Sequence, residues 1–411
     1  MSLALPLRRA PGRLRLLRVL AVSALVMLAM AFYTRADYYL QQDASAAPHP
    51  LLDFDTFQVV GQMALSGEIA AAYRPAEVYA REAADSRQPG HGMPWAYPPQ
   101  FDLIVAGLAL LPRAWAYILF IGASLLGYAL VLRRLAGPAF ELVALAAAPG
   151  LIATIFSGQN GLLIASLAGL FALLALDGRR WAGLPLGLMV MKPHLALGLG
   201  LWVLLRGRWR LIAEALAAVA LSAGLATLAF GAAVWPAFLG GLRATGEILA
   251  HDSFQFFRLS SVYAALRGLG LAREAALAGQ GAAALLAAGL VLWSVRRGLP
   301  ARVQLGLAVL ASLAISPYAY DYDMPLYGIG FALLWPALAP RLGRGALAAV
   351  LALGWALGGW SVWLSLGVPN AARLEALVWA GRLPAVAGLL LVLQLAIFAG
   401  VLRRPLGEAE R

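Results

Sequence analysis

Two carboxylates two residues apart, Asp53 and Asp55 in the frame LLDFDTF, are the first residues in this chain that could do chemistry. In an extended stretch both acids face one way. In the first turn of a helix both sit near free N–H groups. A carboxylate held in either geometry can act as general base on a hydroxyl acceptor, or bind a divalent cation. The plainer reading is a helix-capping acid in a solvated loop. Lys192 is the only lysine among 32 basic residues, and it stands inside an apolar segment beside Pro193 and His194. Buried ionisable groups in a membrane bundle are costly and mark function by default. An ammonium there could hold a phosphate as a point charge, or it could simply snorkel to an interface. The turn SGQNG at 157–161 offers amides, including Asn160, although Asn-Gly favours turns for conformational reasons alone. In SPYAYDYD at 316–323, Tyr320, Asp321 and Asp323 interrupt an apolar region. Aromatics belong at an interface. The two acids do not, and they could engage a sugar hydroxyl, a cation or Lys192. The stretch 251–258 is polar and aromatic and ends in Arg258, while His49 and His91 are solitary. Four scattered histidines form no metal-ligand pattern, and the chain has no cysteine.

The elements that must position these residues are membrane helices. Of 411 residues, 62% are hydrophobic and only 13% charged, against about 25% charged in an ordinary soluble domain. That excludes a soluble, disordered or collagen-like chain. The long unbroken runs exclude the alternation of a β-barrel. The formal charge of +12 reads as the positive-inside rule, not as nucleic-acid binding, because the arginines cluster in short segments between apolar runs. Apolar runs near 19–33, 114–132, 139–156, 161–176, 211–233, 271–294, 303–317, 325–339, 345–363 and 383–402 give about ten full spans. Residues 101–111 are too short to cross a hydrocarbon core. Residues 181–205 begin and end beside arginines and break at Lys192-Pro193-His194, as expected of re-entrant half-helices. The expectation is an all-α polytopic membrane protein with about 10–12 membrane helices, counting short and re-entrant ones. Residues 1–15 form a basic cytoplasmic N-terminus, 16–402 a single membrane domain, and 403–411 a cytoplasmic tail. The polar loop 35–100, which with its boundary holds nine of the 20 acids, then lies outside.

Five motifs in order resemble glycosyltransferase family 87, multispanning bacterial enzymes of the GT-C class. They are DFDTFQVVGQMALSG at 53–67 with the YRPAEVYA that follows, YPPQFDLIVAGLALLP at 97–112, SGQNGLL at 157–163, LPLGLMVMKPHLAL at 184–197, and SPYAYDYDMPL at 316–326. The resemblance covers about residues 50–340. It implies a GT-C-like helical bundle in the bacterial cytoplasmic (inner) membrane, with its active site on the extracytoplasmic face. It also implies a polyprenyl-phosphate sugar donor, most typically mannose, and a membrane-associated lipid or glycan acceptor. Asp53 matches the family's essential carboxylate, with Asp55 as the neighbouring alternative. Lys192, His194, Arg258, Asn160, Tyr320, Asp321 and Asp323 are the expected contacts to donor phosphate or sugar. Asp53 would orient or deprotonate the acceptor hydroxyl, and Lys192 or Arg258 would steady the leaving phosphate. Opposite-face attack on a β-linked donor would give an α-linked product. No resident metal or other cofactor is assigned, and a divalent cation remains open. Two other readings share the apolar bulk. A transporter or flippase for a lipid-linked saccharide predicts pseudo-symmetric halves. A non-catalytic scaffold predicts no convergence of Asp53, Lys192 and Asp321.

Overall fold

The computed structural model describes residues 11–45, 47–87, 92–250, 256–367 and 383–403. Arg8 and Arg9 of the basic N-terminus, His91, residues 251–255 and the tail 404–411 lie outside the described residues.

The regular structure of the described chain is all helical apart from an isolated bridge between Leu259 and Tyr320. In chain order the helices are α1 Pro11–Ala44, α2 Asp53–Leu65, α3 Ile69–Ala72, α4 Pro75–Ser86, α5 Pro99–Leu108, α6 Arg113–Ala136, α7 Phe140–Ser157, α8 Gly161–Leu176 and α9 Gly183–Leu188. They continue as α10 Leu197–Leu205, α11 Trp209–Phe230, α12 Val234–Ala250, α13 Val262–Gly268, α14 Arg273–Arg296, α15 Ala301–Ile315, α16 Pro325–Leu338 and α17 Arg344–Gly367. The last is α18, Ala387–Leu402.

Five stretches are long and apolar enough to cross a membrane, and one of them, Arg113–Ser157, holds both α6 and α7. Four further apolar helices are shorter: Gly161–Leu176, Pro193–Leu205, Ala301–Ile315 and Ala387–Leu402. Of the ten expected full spans, six fall in the membrane-length stretches as α1, α6, α7, α11, α14 and α17, and 161–176, 303–317, 325–339 and 383–402 form the shorter helices α8, α15, α16 and α18. The short helices need not reach both interfaces, because neighbouring helices cover their ends. Thus α15 and α16 are buried on nearly every face, while α11 exposes Leu216, Leu221 and Leu228, the last at 85%, as a lipid-facing helix would.

Two departures from the sequence expectation concern the first connection. Helix α1 runs to Ala44, well past the apolar run, and the segment expected as a polar loop is itself largely helical, from α2 through α4. Its acids are largely paired within the fold. Asp43 accepts from Ala114 N at the start of α6 at 2.9 Å, and Glu68 pairs with Arg81 at 2.7 Å. Helix α12, absent from the list of runs, lies between α11 and the next polar stretch.

The helix expected to break within 181–205 does so at Lys192. Two 3₁₀ turns, Met189–Met191 and Pro193–Ala196, separate α9 from α10, and Lys192 between them leaves helical geometry at φ −139°, ψ 73°. Pro193 supplies no N–H, so the helix cannot continue through it. Glu214 on α11 anchors the entry by accepting from Trp181 N at 3.1 Å and Gly183 N at 2.8 Å.

Candidate active site

Helix α2 opens at Asp53 because Leu52 is extended and Asp55, three positions on, accepts from Leu52 N at 2.7 Å. This is half of a capping box. It also separates the two acids, since residues two apart on a helix point about 200° apart. Asp55 turns inward. Its side chain is fully buried, 3.3 Å from Arg113, whose guanidinium also donates to both oxygens of Asp85 at 2.7 Å. Burial raises the Asp55 carboxyl to about 6, opposed by Arg113 and by the hydrogen bond from Leu52. Asp53 turns the other way and is 19% exposed.

What Asp53 meets is Gln159 and Arg258. Gln159 Nε2 donates to Asp53 Oδ2 at 3.2 Å, and Arg258 Nη2 stands 3.6 Å from the same oxygen. Arg258 also pairs with Asp321, with Nε 3.2 Å from Oδ2, and its guanidinium lies 5.5 Å from the centroid of the Tyr322 ring. Lys192 Nζ donates to Asp323 Oδ1 at 2.7 Å and sits 4.5 Å from the centroid of the same Tyr322 ring. Tyr320 stacks on Tyr322 at 4.9 Å, 7° from parallel. One cluster therefore joins Asp53, Arg258, Asp321, Tyr322, Lys192 and Asp323. It sits where α2 and α8 start and α15 gives way to α16. The paired arginines lie at the opposite ends of the same helices: Arg179 and Arg180 follow α8, Arg296 and Arg297 precede α15, and Arg341 follows α16.

Two glycines allow the approach. Gly158 ends α7 in the left-handed region, at φ +71°, where a side chain would be strained. A Cβ on Gly161 would fall 1.7 Å from the Tyr322 carbonyl oxygen, so the start of α8 lies directly on the 320–323 turn. Thr154 Oγ1 ties the same carbonyl down at 2.8 Å. Gly161→Ala should push that turn aside and cost about 1–3 kcal/mol of stability, with a larger proportional loss of activity. Thermal unfolding set beside initial rates checks both.

Beside the cluster lies a cavity of ≈ 290 Å³ with mainly apolar walls. Lys192, His194 and Tyr320 line it on one side, Met93 and Tyr97 on a second, and Phe238 and Leu242 of α12 on a third. Asp53 does not line it but is one side chain away. Tyr97 Oη donates to Gln159 Oε1 at 2.7 Å, and Met93 Sδ is 3.3 Å from the same Gln159 Nε2 that reaches Asp53. Asn160, expected as a contact, is fully buried, and neither of its amide atoms has a hydrogen-bond partner among the described residues. The same holds for His194 Nε2. Gln159, not its neighbour, is the amide that touches the acid. The SGQNG turn held both amides in sequence, which does not decide between them. Among the described residues no three His, Asp or Glu side chains converge as a metal set.

Glu82 was visible in the sequence only as one of many acids, yet it is fully buried. It accepts from the Thr56 hydroxyl and from Met93 N at 3.3 Å, which fastens the cavity-lining strap 92–98 to α4. Burial lifts its carboxyl to about 7 from 4.5, against those two hydrogen bonds. The unfolded chain therefore loses this proton near pH 4.5 and the folded chain near pH 7. Its contribution to stability is complete below pH 4.5 and is lost as pH rises through 7, of order 3 kcal/mol over the window. Glu82→Gln should remove that part of the slope. Asp55 and Asp102, raised to about 6 and about 7 by burial, keep theirs. Unfolding temperatures between pH 5 and 8 test it, and an unchanged slope would refute it.

A polytopic helical bundle with an acid, two cation–carboxylate pairs and stacked tyrosines gathered at one end, beside an apolar cavity, is a membrane protein of the GT-C-like type. Residues 95–317 match the model of glycosyltransferase family 87. That is more than half of the chain, and the protein belongs to this family. Membership assigns it glycosyltransferase activity and a membrane-associated lipid or glycan partner system. The matched span includes Gln159, Lys192, His194 and Arg258 and stops short of Asp53 and of the 320–323 turn. Comparison with curated proteins and with solved structures yields no match.

Proposed function

We propose that the protein transfers a hexose, mannose in the first instance, from a polyprenyl-phosphate carrier to a lipid or glycan acceptor. The reaction takes place at the extracytoplasmic face of a bacterial cytoplasmic (inner) membrane. The observation that carries the reading is the contact of Asp53 with Gln159 and Arg258 beside the apolar cavity headed by Lys192. The paired arginines at the far ends of the helices support the orientation, since such clusters stay cytoplasmic. The 1–15 and 403–411 segments then lie inside, and the connection 35–100 outside.

Asp53 takes the proton of the acceptor hydroxyl as the oxygen attacks the anomeric carbon. The bond from that carbon to the phosphate oxygen breaks, and the electron pair leaves with the phosphate. Lys192 and Arg258 meet the charge that develops there, in a site where water is scarce and such contacts count for more. Asp321 and Asp323 hold the two cations in place. His194, Asn160 and Tyr320 offer polar atoms to the sugar. Attack opposite the phosphate inverts the centre, and a β-linked donor yields an α-linked product. Asp55 is consumed by Leu52 N and Arg113, which leaves Asp53, one side chain from the cavity, as the acid for the acceptor hydroxyl.

The test is transfer in proteoliposomes with labelled polyprenyl-phosphate mannose, alongside the glucose analogue and a nucleotide sugar. Transfer from a polyprenyl-phosphate sugar is expected, with none from the nucleotide sugar. Transfer from the nucleotide sugar alone would overturn the donor, and a preference for glucose would overturn the sugar.

A further inference from the structure

Along the outer side of the bundle, α14, α15 and α18 enclose a second trough of ≈ 390 Å³, which runs from Ala314, near the active-site end of α15, to Arg403 at the opposite end. It follows α14 from Ala283 to Trp293, roughly 15 Å of helix. Its walls are aliphatic. Leu286, on its rim, is 69% exposed. Only one end is polar, where Trp293 and Arg403 line it together. Arg296 and Arg297 follow Trp293 within one turn at the end of α14. None of these three guanidiniums has an ion-pair partner among the described residues.

We propose that this trough is a binding site for an anionic phospholipid, with one acyl chain lying along α14 and the phosphate on Arg403. The charge argument selects the occupant. An aliphatic channel alone would accept any lipid, but its single polar mouth presents cations and an indole, the pairing that favours an anionic headgroup at a membrane interface. The site is separate from the cavity at Lys192. The trough's charged mouth lies at the arginine end of α14, and Asp53 lies at the other end of the bundle. Gly289 lies along the trough, and a Cβ there would meet nothing within 4 Å. A larger side chain at 289 therefore fills the channel without disturbing the helix packing.

The full-length purified protein, delipidated and titrated with phosphatidylglycerol or phosphatidylcholine, provides the test. Native mass spectrometry reads bound lipid, and thermal unfolding reads its effect. Phosphatidylglycerol should be retained in preference and should raise the unfolding temperature. Arg403→Gln should bind it about fivefold more weakly, the effect of one interfacial arginine. Gly289→Leu should lose the tightly held molecule, and Arg133→Gln, at another arginine cluster, should leave it in place. Equal retention of both lipids would overturn the charge argument. Undiminished phosphatidylglycerol binding by Gly289→Leu would overturn the trough as its seat. Should either variant unfold without lipid, the comparison of the two lipids on the wild-type chain still decides whether the site selects for charge.

Discussion

Replacing Asp53 with asparagine is expected to lower the rate of sugar transfer by roughly 10²–10⁴-fold, the usual worth of a positioned general base. The fold should be left intact. Asn keeps the shape of the side chain and can still accept from Gln159 Nε2, which lies 3.2 Å from Asp53. It loses the ability to take a proton. It also loses the charge facing Arg258 at 3.6 Å, but that pair is partly exposed and contributes little to stability. Asp55→Asn should behave in the opposite way. Asp55 is fully buried against Arg113, and removing one partner of a buried pair typically costs about 3–5 kcal/mol. Asp85 remains on Arg113 at 2.7 Å, so the lower end applies. The measurement is a pair of numbers for each variant, an initial rate and an unfolding temperature. Asp53→Asn should move the first and Asp55→Asn the second. Wild-type transfer by Asp53→Asn would remove the assignment of the base.

The separation of these two acids also shows where reading the sequence stops. The frame LLDFDTF placed both carboxylates at the site and could not choose between them, because the choice depends on whether residue 53 begins a helix. Once it does, the helical period sends one acid outward and the other into its own cap. Lys192-Pro193-His194 was legible for the converse reason: a charge, a helix breaker and short apolar flanks all predict the same broken backbone. The partners of Lys192 were legible only as a set. Asp321 and Asp323 were both candidates, and their assignment to Arg258 and Lys192 follows from the turn at Asp321–Asp323, in which alternate side chains diverge. Gln159 and Glu82 were missed because nothing about an amide in a turn, or an acid in a polar stretch, reports burial. Burial comes from chain segments distant in sequence: Tyr97 and Met93 cover Gln159, and Thr56 and Gly92 cover Glu82.

The Lys192–Asp323 pair separates structure from chemistry most sharply. Lys192 is 5% exposed and Asp323 fully buried, and they meet at 2.7 Å. Lys192→Met would leave Asp323 uncompensated, with only Tyr320 N, at 3.0 Å, donating to it among the described residues. Asp323→Leu would leave the ammonium over the Tyr322 ring with no anion beside it. Each single change should cost about 3–5 kcal/mol and also abolish transfer, so neither alone reveals a role. The double variant Lys192→Met, Asp323→Leu removes both charges together and should recover most of the lost stability, since apolar replacements of whole buried pairs are often neutral. If Lys192 serves the leaving phosphate, the recovered protein still fails to transfer, and its affinity for the polyprenyl-phosphate sugar falls as well. If it transfers at the wild-type rate, the pair is a structural clamp on the 320–323 turn and Arg258 alone meets the phosphate. Unfolding temperatures of the four proteins, with transfer and donor binding measured on the double variant, decide between them.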